Sequence, residues 1–112
     1  MSTAHTVVTV LTIVANAGIA VADFRKADFV LANSAAVDVP RSWVPALGAL
    51  KAAGAAGLLL GLLGVPVIGV AAAIGLVAFF VGAIVAHVRA QAFRTMTFPA
   101  AYLALAVGCL VL

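Results

Sequence analysis

From Ala46 to Val88 the chain carries one charged residue, Lys51. A single helix over that stretch would run about 65 Å, twice the roughly 30 Å of a bilayer's hydrocarbon core. Gly64, Val65 and Pro66 interrupt it without adding a charge. Two membrane spans joined by a tight turn satisfy both facts. Composition closes off the soluble alternative: 67% of the 112 residues are hydrophobic and 8% charged, with a mean hydropathy of +1.34. A soluble domain carries about 25% charged residues, and a chain this short has too little interior to hide so much apolar surface.

Two further apolar runs flank this hairpin. HTVVTVLTIVANAGIAVA, His5–Ala22, is just long enough to cross. Its AVA ending before Asp23 resembles a signal-peptidase site, but MSTAH ahead of it has no Lys or Arg, so a retained span is expected. The last run, FPAAYLALAVGCLVL, is short and is expected to start a turn earlier, near Thr95 to Thr97. The expectation is all-α: one membrane domain, 1–112, folded as a four-transmembrane-helix bundle with spans near 4–22, 44–64, 66–88 and 95–112. In the connector 24–42, Phe24, Ala27, Val30, Leu31 and Ala35 share one side, with Arg25, Lys26, Asp28 and Asn33 elsewhere. That pattern suits a short amphipathic interfacial helix between the first and second spans.

Four crossings gather the basic residues at one end. Arg25, Lys26, Arg41, Lys51, Arg89 and Arg94 all belong to the loops 23–41 and 89–94 or to helix ends facing them. The positive-inside rule then places the charged loops in the cytoplasm and both termini outside, in a multi-pass cell-membrane (inner-membrane) protein. Arg25, Arg41, Trp43 and Arg94 are expected as interfacial anchors. No basic run has the density or the interleaved aromatics of a nucleic-acid site.

Small residues are the expected packing points, because lipid supplies no hydrophobic drive between helices. Ala53, Gly57 and Gly61 recur at i, i+4, i+8; Gly75 and Gly82 lie one heptad apart; Gly108 shares a face with Ala101 and Ala104. Internal packing is the plainer reading of these spacings, and a dedicated oligomer face the sharper one. Cys109, the single cysteine, excludes an internal disulfide and reads as a packed thiol.

Polar residues at depth are costly and so carry more information. Thr9, Thr12, Asn16 and Asp23 fall on one helical stripe, and Lys51 sits inside the second span. His87 and Arg89 close the third. Each has a bland account: Asp23 capping the next helix or pairing with a base, Lys51 and the arginines reaching lipid phosphate, Asn16 bonding across helices. Together Asn16, Asp23, Lys26, Lys51, His87 and Arg89 are the candidates for a polar cluster or ligand pocket. The chain offers no catalytic set, no clustered metal ligands, no nucleotide-binding motif and no cofactor site of its own.

ADFRKADF at Ala22–Phe29, VPRSWVPALGALKAAGAAGLLLGL at Val39–Leu62 and GAIVAHVRA at Gly82–Ala90 occur in an order and spacing that resembles the DoxX-like family of small four-span membrane proteins. The resemblance covers nearly the whole chain. It implies a four-helix bundle whose polar end includes Lys26, Lys51, His87 and Arg89. At Lys51 many members place an acidic residue, so an ion-pair or acid role does not transfer unchanged. The family name comes from a subunit of a quinone-reducing, sulfur-oxidising complex, which brings a quinone into consideration without establishing quinone chemistry here.

The expected function is a non-catalytic accessory or structural subunit that binds membrane lipids, another membrane protein or a second copy. The alternative is a membrane redox protein binding a quinone or another apolar ligand. That alternative requires Asn16, Asp23, Lys51 and His87 to converge on a cavity. A third option, an oligomeric channel or transporter, requires the Thr9–Thr12–Asn16 stripe to face a shared pore.

Overall fold

A computed structural model describes residues 2–112, in which five α-helices and no strand occur. The helices are α1 (Thr3–Phe24), α2 (Asp28–Ala36), α3 (Val44–Leu62), α4 (Pro66–Arg89) and α5 (Thr97–Val111), with a single 3-10 turn at Arg41–Trp43 leading into α3. α1, α3 and α4 are long and apolar enough to cross a membrane. The bundle's longest dimension, 39 Å, is close to the about 40–45 Å of a bilayer with its headgroups.

Local chemistry accounts for the breaks. Ser2 caps α1 by accepting from the His5 amide at 3.0 Å, which satisfies one of the helix's free donors. α1 ends where Lys26 turns left-handed, at φ 51°. Gly64 adopts φ 118°, a conformation costly for any residue with a Cβ, and Pro66 then opens α4 where its missing N–H is not needed. α2 is shorter than the 24–42 connector: Phe24 belongs to α1, Ala35 is exposed, and Asn33 turns inward rather than lying on an outer polar side. Its inward face is Val30 with Asn33, so the pattern of one apolar side and one polar side does not hold as drawn.

α1, α3, α4 and α5 form a ring in which α1 and α4 each pack against both α3 and α5. Successive members run antiparallel, and the ring closes where Ser2 Oγ donates to the Leu112 carbonyl at 3.3 Å. α1 is inverted relative to a soluble helix. Its buried residues are Thr9, Thr12, Asn16, Ala20 and Asp23, while Val7, Leu11, Val14 and Val21 face out. Leu58, Ala73, Leu76, Phe80, Ala106 and Cys109 form the apolar core against which this polar stripe packs.

The α3–α4 interface is graded. A Cβ on Gly61 would lie 2.6 Å from the Gly69 Cα, so the two backbones touch there. One turn on, Gly57 faces the Ala72 methyl at the same distance; next, Gly54 faces the Leu76 side chain. Beyond it Lys51 meets the ring of Phe79. The spacer between the helices thus grows from nothing to an aromatic ring toward the charged end.

Small residues pack at fewer of the expected positions. Gly57, Gly61 and Gly108 do so, Gly108 against Val8. Ala53 is exposed, and a Cβ on Gly75 or Gly82 would meet nothing within 4 Å, so these three are not internal packing points. The residues in contact are instead Gly48, Gly54 and Gly69, which lie on the inward faces of the same helices.

A candidate ligand cavity at the charged end

A cavity of about 270 Å³ opens where α1 ends, α3 begins, α4 ends and α5 begins, with α2 and the 3-10 turn beside it. Asp23, Lys51, His87, Asn33, Ser34 and Tyr102 supply its polar lining. Its apolar walls mix the rings of Phe29, Trp43, Phe79, Phe80 and Phe98 with aliphatic side chains. The volume lies just below the about 300 Å³ at which ordinary small-molecule pockets begin.

An ion pair forms one wall. Lys51 lies roughly 10 Å along α3 from its start, too deep for the stem to leave its partner without cost, and Nζ donates to Asp23 Oδ2 at 2.9 Å. The Asp23 side chain is 3% exposed and that of Lys51 13%. The ammonium also stands 5.4 Å from the centre of the Phe79 ring, within cation–π range. Asp23 sits inside the last turn of α1, so it pairs with Lys51 instead of capping α2. Gly48 makes the pair geometrically attainable: a Cβ there would lie 2.7 Å from the Asp23 Cβ and 3.3 Å from the Ala20 carbonyl oxygen.

His87 forms the opposite wall and is 5% exposed. Its Nδ1 lies 2.7 Å from the Ala83 carbonyl oxygen, an acceptor only, so Nδ1–H donates. Nε2 stands 3.2 Å from Asn33 Oδ1, tying α4 to α2 across the cavity. With Nδ1 donating, the Nε2 of a neutral ring is an acceptor, and turning the Asn33 amide over about its Cβ–Cγ bond presents an Nδ2–H to it in place of the oxygen. Tyr102 on α5 donates to the Ala15 carbonyl at 3.2 Å, and its ring lies tilted at 44° against Phe80 with centres 5.3 Å apart.

Of the candidate cluster, Asp23, Lys51 and His87 therefore meet around one space. Asn16 does not: it is fully buried deeper in the bundle, donating to the Thr12 carbonyl at 2.9 Å with its Oδ1 unpartnered. Lys26 and Arg89 are exposed, as are Arg25, Arg41 and Arg94. Trp43 is 57% exposed and yet lines the cavity with part of its ring. Thr9 and Thr12 face the interior of their own bundle, with Cys109 donating to Thr12 Oγ1 at 3.3 Å. A stripe used up inside one chain does not face a pore shared between copies, which removes the basis of the oligomeric-channel option.

Three residues that build the site carry no strong signal in the sequence. Asn33 falls off the apolar side of the connector pattern, and no spacing rule ties it to His87. Tyr102 carries a usable signal as the single tyrosine of an apolar span. Gly48, three residues before Lys51, shares its helix face and marks where another backbone approaches.

No curated protein and no solved structure matches the chain. A family profile matches residues 7–109, a range that includes the whole hairpin and all the polar residues of the cavity. An all-helical bundle with an apolar exterior, three membrane-length helices and that match agree: this is a membrane protein and a member of the DoxX-like family.

Proposed function

We propose that this chain is a single four-span domain that binds a membrane-borne amphipathic molecule in the cavity at its charged end, without catalysis of its own. α5, at 15 residues or about 22 Å, is the fourth span, reaching from the cavity to the level of Ser2. α2 lies in the headgroup region, the charged loops face the cytoplasm, and both termini lie outside. The observation that carries the reading is the meeting of Asp23, Lys51 and His87 on one apolar-walled space. Polar groups in a membrane interior are expensive, and three of them lining a cavity are better explained by a ligand's head group than by packing. A quinone ring or a lipid head with its tail in the bilayer fits these walls.

The test is extraction and mass analysis of lipids retained by the protein purified in mild detergent. Ala86→Phe, which fills the cavity from α4, is expected to lose a bound species that the wild type keeps. Identical retention in both proteins refutes the reading.

A second reading, association with a second copy or another membrane protein, is favoured by one observation. Ala71, Gly75, Ala78 and Gly82 fall on one exposed face of α4. Such a bare face lets a second backbone approach closely in lipid. Native mass measurement of wild type and Gly75→Leu separates the two readings, since Gly75 lies on this face and does not line the cavity.

A further inference from the structure

Resting on the cavity reading, we infer that the site selects an uncharged head group and rejects anionic amphiphiles, even though the end of the bundle that holds it is the basic one. The charges that line the cavity are Asp23 and Lys51, and they neutralise each other at 2.9 Å. The remaining basic residues of this end, Arg25, Lys26, Arg41, Arg89 and Arg94, are exposed and absent from the lining. They attract headgroup phosphate at the surface and contribute no counter-charge inside.

An anionic head entering this space meets no free cation. The spare N–H groups of Lys51 stand beside the Asp23 carboxylate, which repels an anion that takes them. To gain the full charge of Lys51 the anion must displace Asp23, 2% exposed with no other base beside it. Leaving one partner of a buried pair uncompensated is the more costly outcome for either charge. A cationic head faces the mirror problem at Lys51. A carbonyl or hydroxyl group instead uses capacity the pair leaves over. Lys51 has three N–H donors and spends one on Asp23, and the Tyr102 oxygen, donating to Ala15, retains lone pairs. His87 Nε2 adds an acceptor to a hydroxyl that displaces Asn33. The ligand class is therefore a neutral amphiphile with a carbonyl or hydroxyl head and an apolar remainder to lie against the Phe and Trp walls.

The chain holds its own reporter, since Trp43 is its single tryptophan and lines the cavity. The probes are decanol and decanesulfonate, equal in tail and differing in charge. Titration of each into the purified protein, with Trp43 fluorescence as the readout and Ala86→Phe as the blocked control, is expected to show decanol binding at least about a hundredfold tighter. Asp23→Asn frees the Lys51 charge and is expected to bring decanesulfonate to parity or better. The double variant Asp23→Asn/Lys51→Gln, with no charge left, is expected to keep the preference for decanol should the single variant not fold. Wild type binding both probes within a few fold, each blocked by Ala86→Phe, overturns the selectivity while leaving the cavity reading standing. Neither probe giving a response that Ala86→Phe abolishes overturns the cavity reading and the selectivity with it.

Discussion

Replacing Lys51 by Met tests whether the pair at the mouth of the bundle is buried in energy as well as in geometry. At 2.9 Å and an effective dielectric of about 20, the attraction is about 6 kcal/mol. Desolvation of both ions offsets much of that, so the pair as a whole is worth little more than two apolar residues of the same size. Truncating one partner is a different matter. Asp23 is 2% exposed and its carboxylate is left with no base within reach, for an expected loss of about 3–5 kcal/mol. Asp23→Asn is expected to cost less, because the lysine left in place keeps the Phe79 ring 5.4 Å away as a partner and the bare aspartate keeps none. The double variant Asp23→Asn/Lys51→Met removes the uncompensated charge and is expected to recover most of the loss. Reversible unfolding in mixed micelles, followed by helical circular dichroism over this four-protein cycle, measures the coupling. A loss under about 1 kcal/mol for Lys51→Met, the value of an exposed pair, refutes the reasoning and places Lys51 at the headgroups.

Two further perturbations read other parts of the fold. Gly61→Ala puts a methyl 2.6 Å from the Gly69 backbone and is expected to lower stability by about 1–3 kcal/mol, whereas Gly75→Ala meets nothing and is expected to gain up to about 1 kcal/mol of helix propensity; thermal unfolding of the two variants side by side checks the contrast. His87→Ala removes the α4–α2 tie, so hydrogen exchange in Asp28–Ala36 is expected to accelerate severalfold while that of α3 stays at the wild-type rate.

The helical runs were legible because their signal is redundant: Pro45 and Pro66 mark starts, Gly64 a turn, and long uncharged stretches leave no other solvent than lipid. The inward stripe of α1 was legible too, since Thr9, Thr12, Asn16 and Asp23 share a face whose burial a bilayer makes costly to waste. Which small residues touch was not. Gly57 and Gly61 pack while Gly75 and Gly82 do not, and the difference lies in the rotation of α4 about its axis, which an Ala- and Gly-rich helix does not encode in hydrophobicity. The cavity was half legible. Lys51 announced itself by its depth, but its partner could as well have been a phosphate as Asp23. Asn33 and His87 are separated by 54 positions, and their meeting depends on how a nine-residue helix folds back, which no local pattern dictates.

The graded spacer between α3 and α4 makes the two ends of the hairpin mechanically dependent. With Gly61 and Gly69 in backbone contact, that crossing acts as a fulcrum, and Lys51 stands ten residues, roughly 15 Å, along the lever arm. A methyl group that pushes the helices apart at the fulcrum shifts the far arms by a comparable distance. The dimensions of the binding space are then tuned by residues that never touch its occupant. Variation in affinity among close sequence variants should be sought at the uncharged turn as much as among the side chains that line the walls.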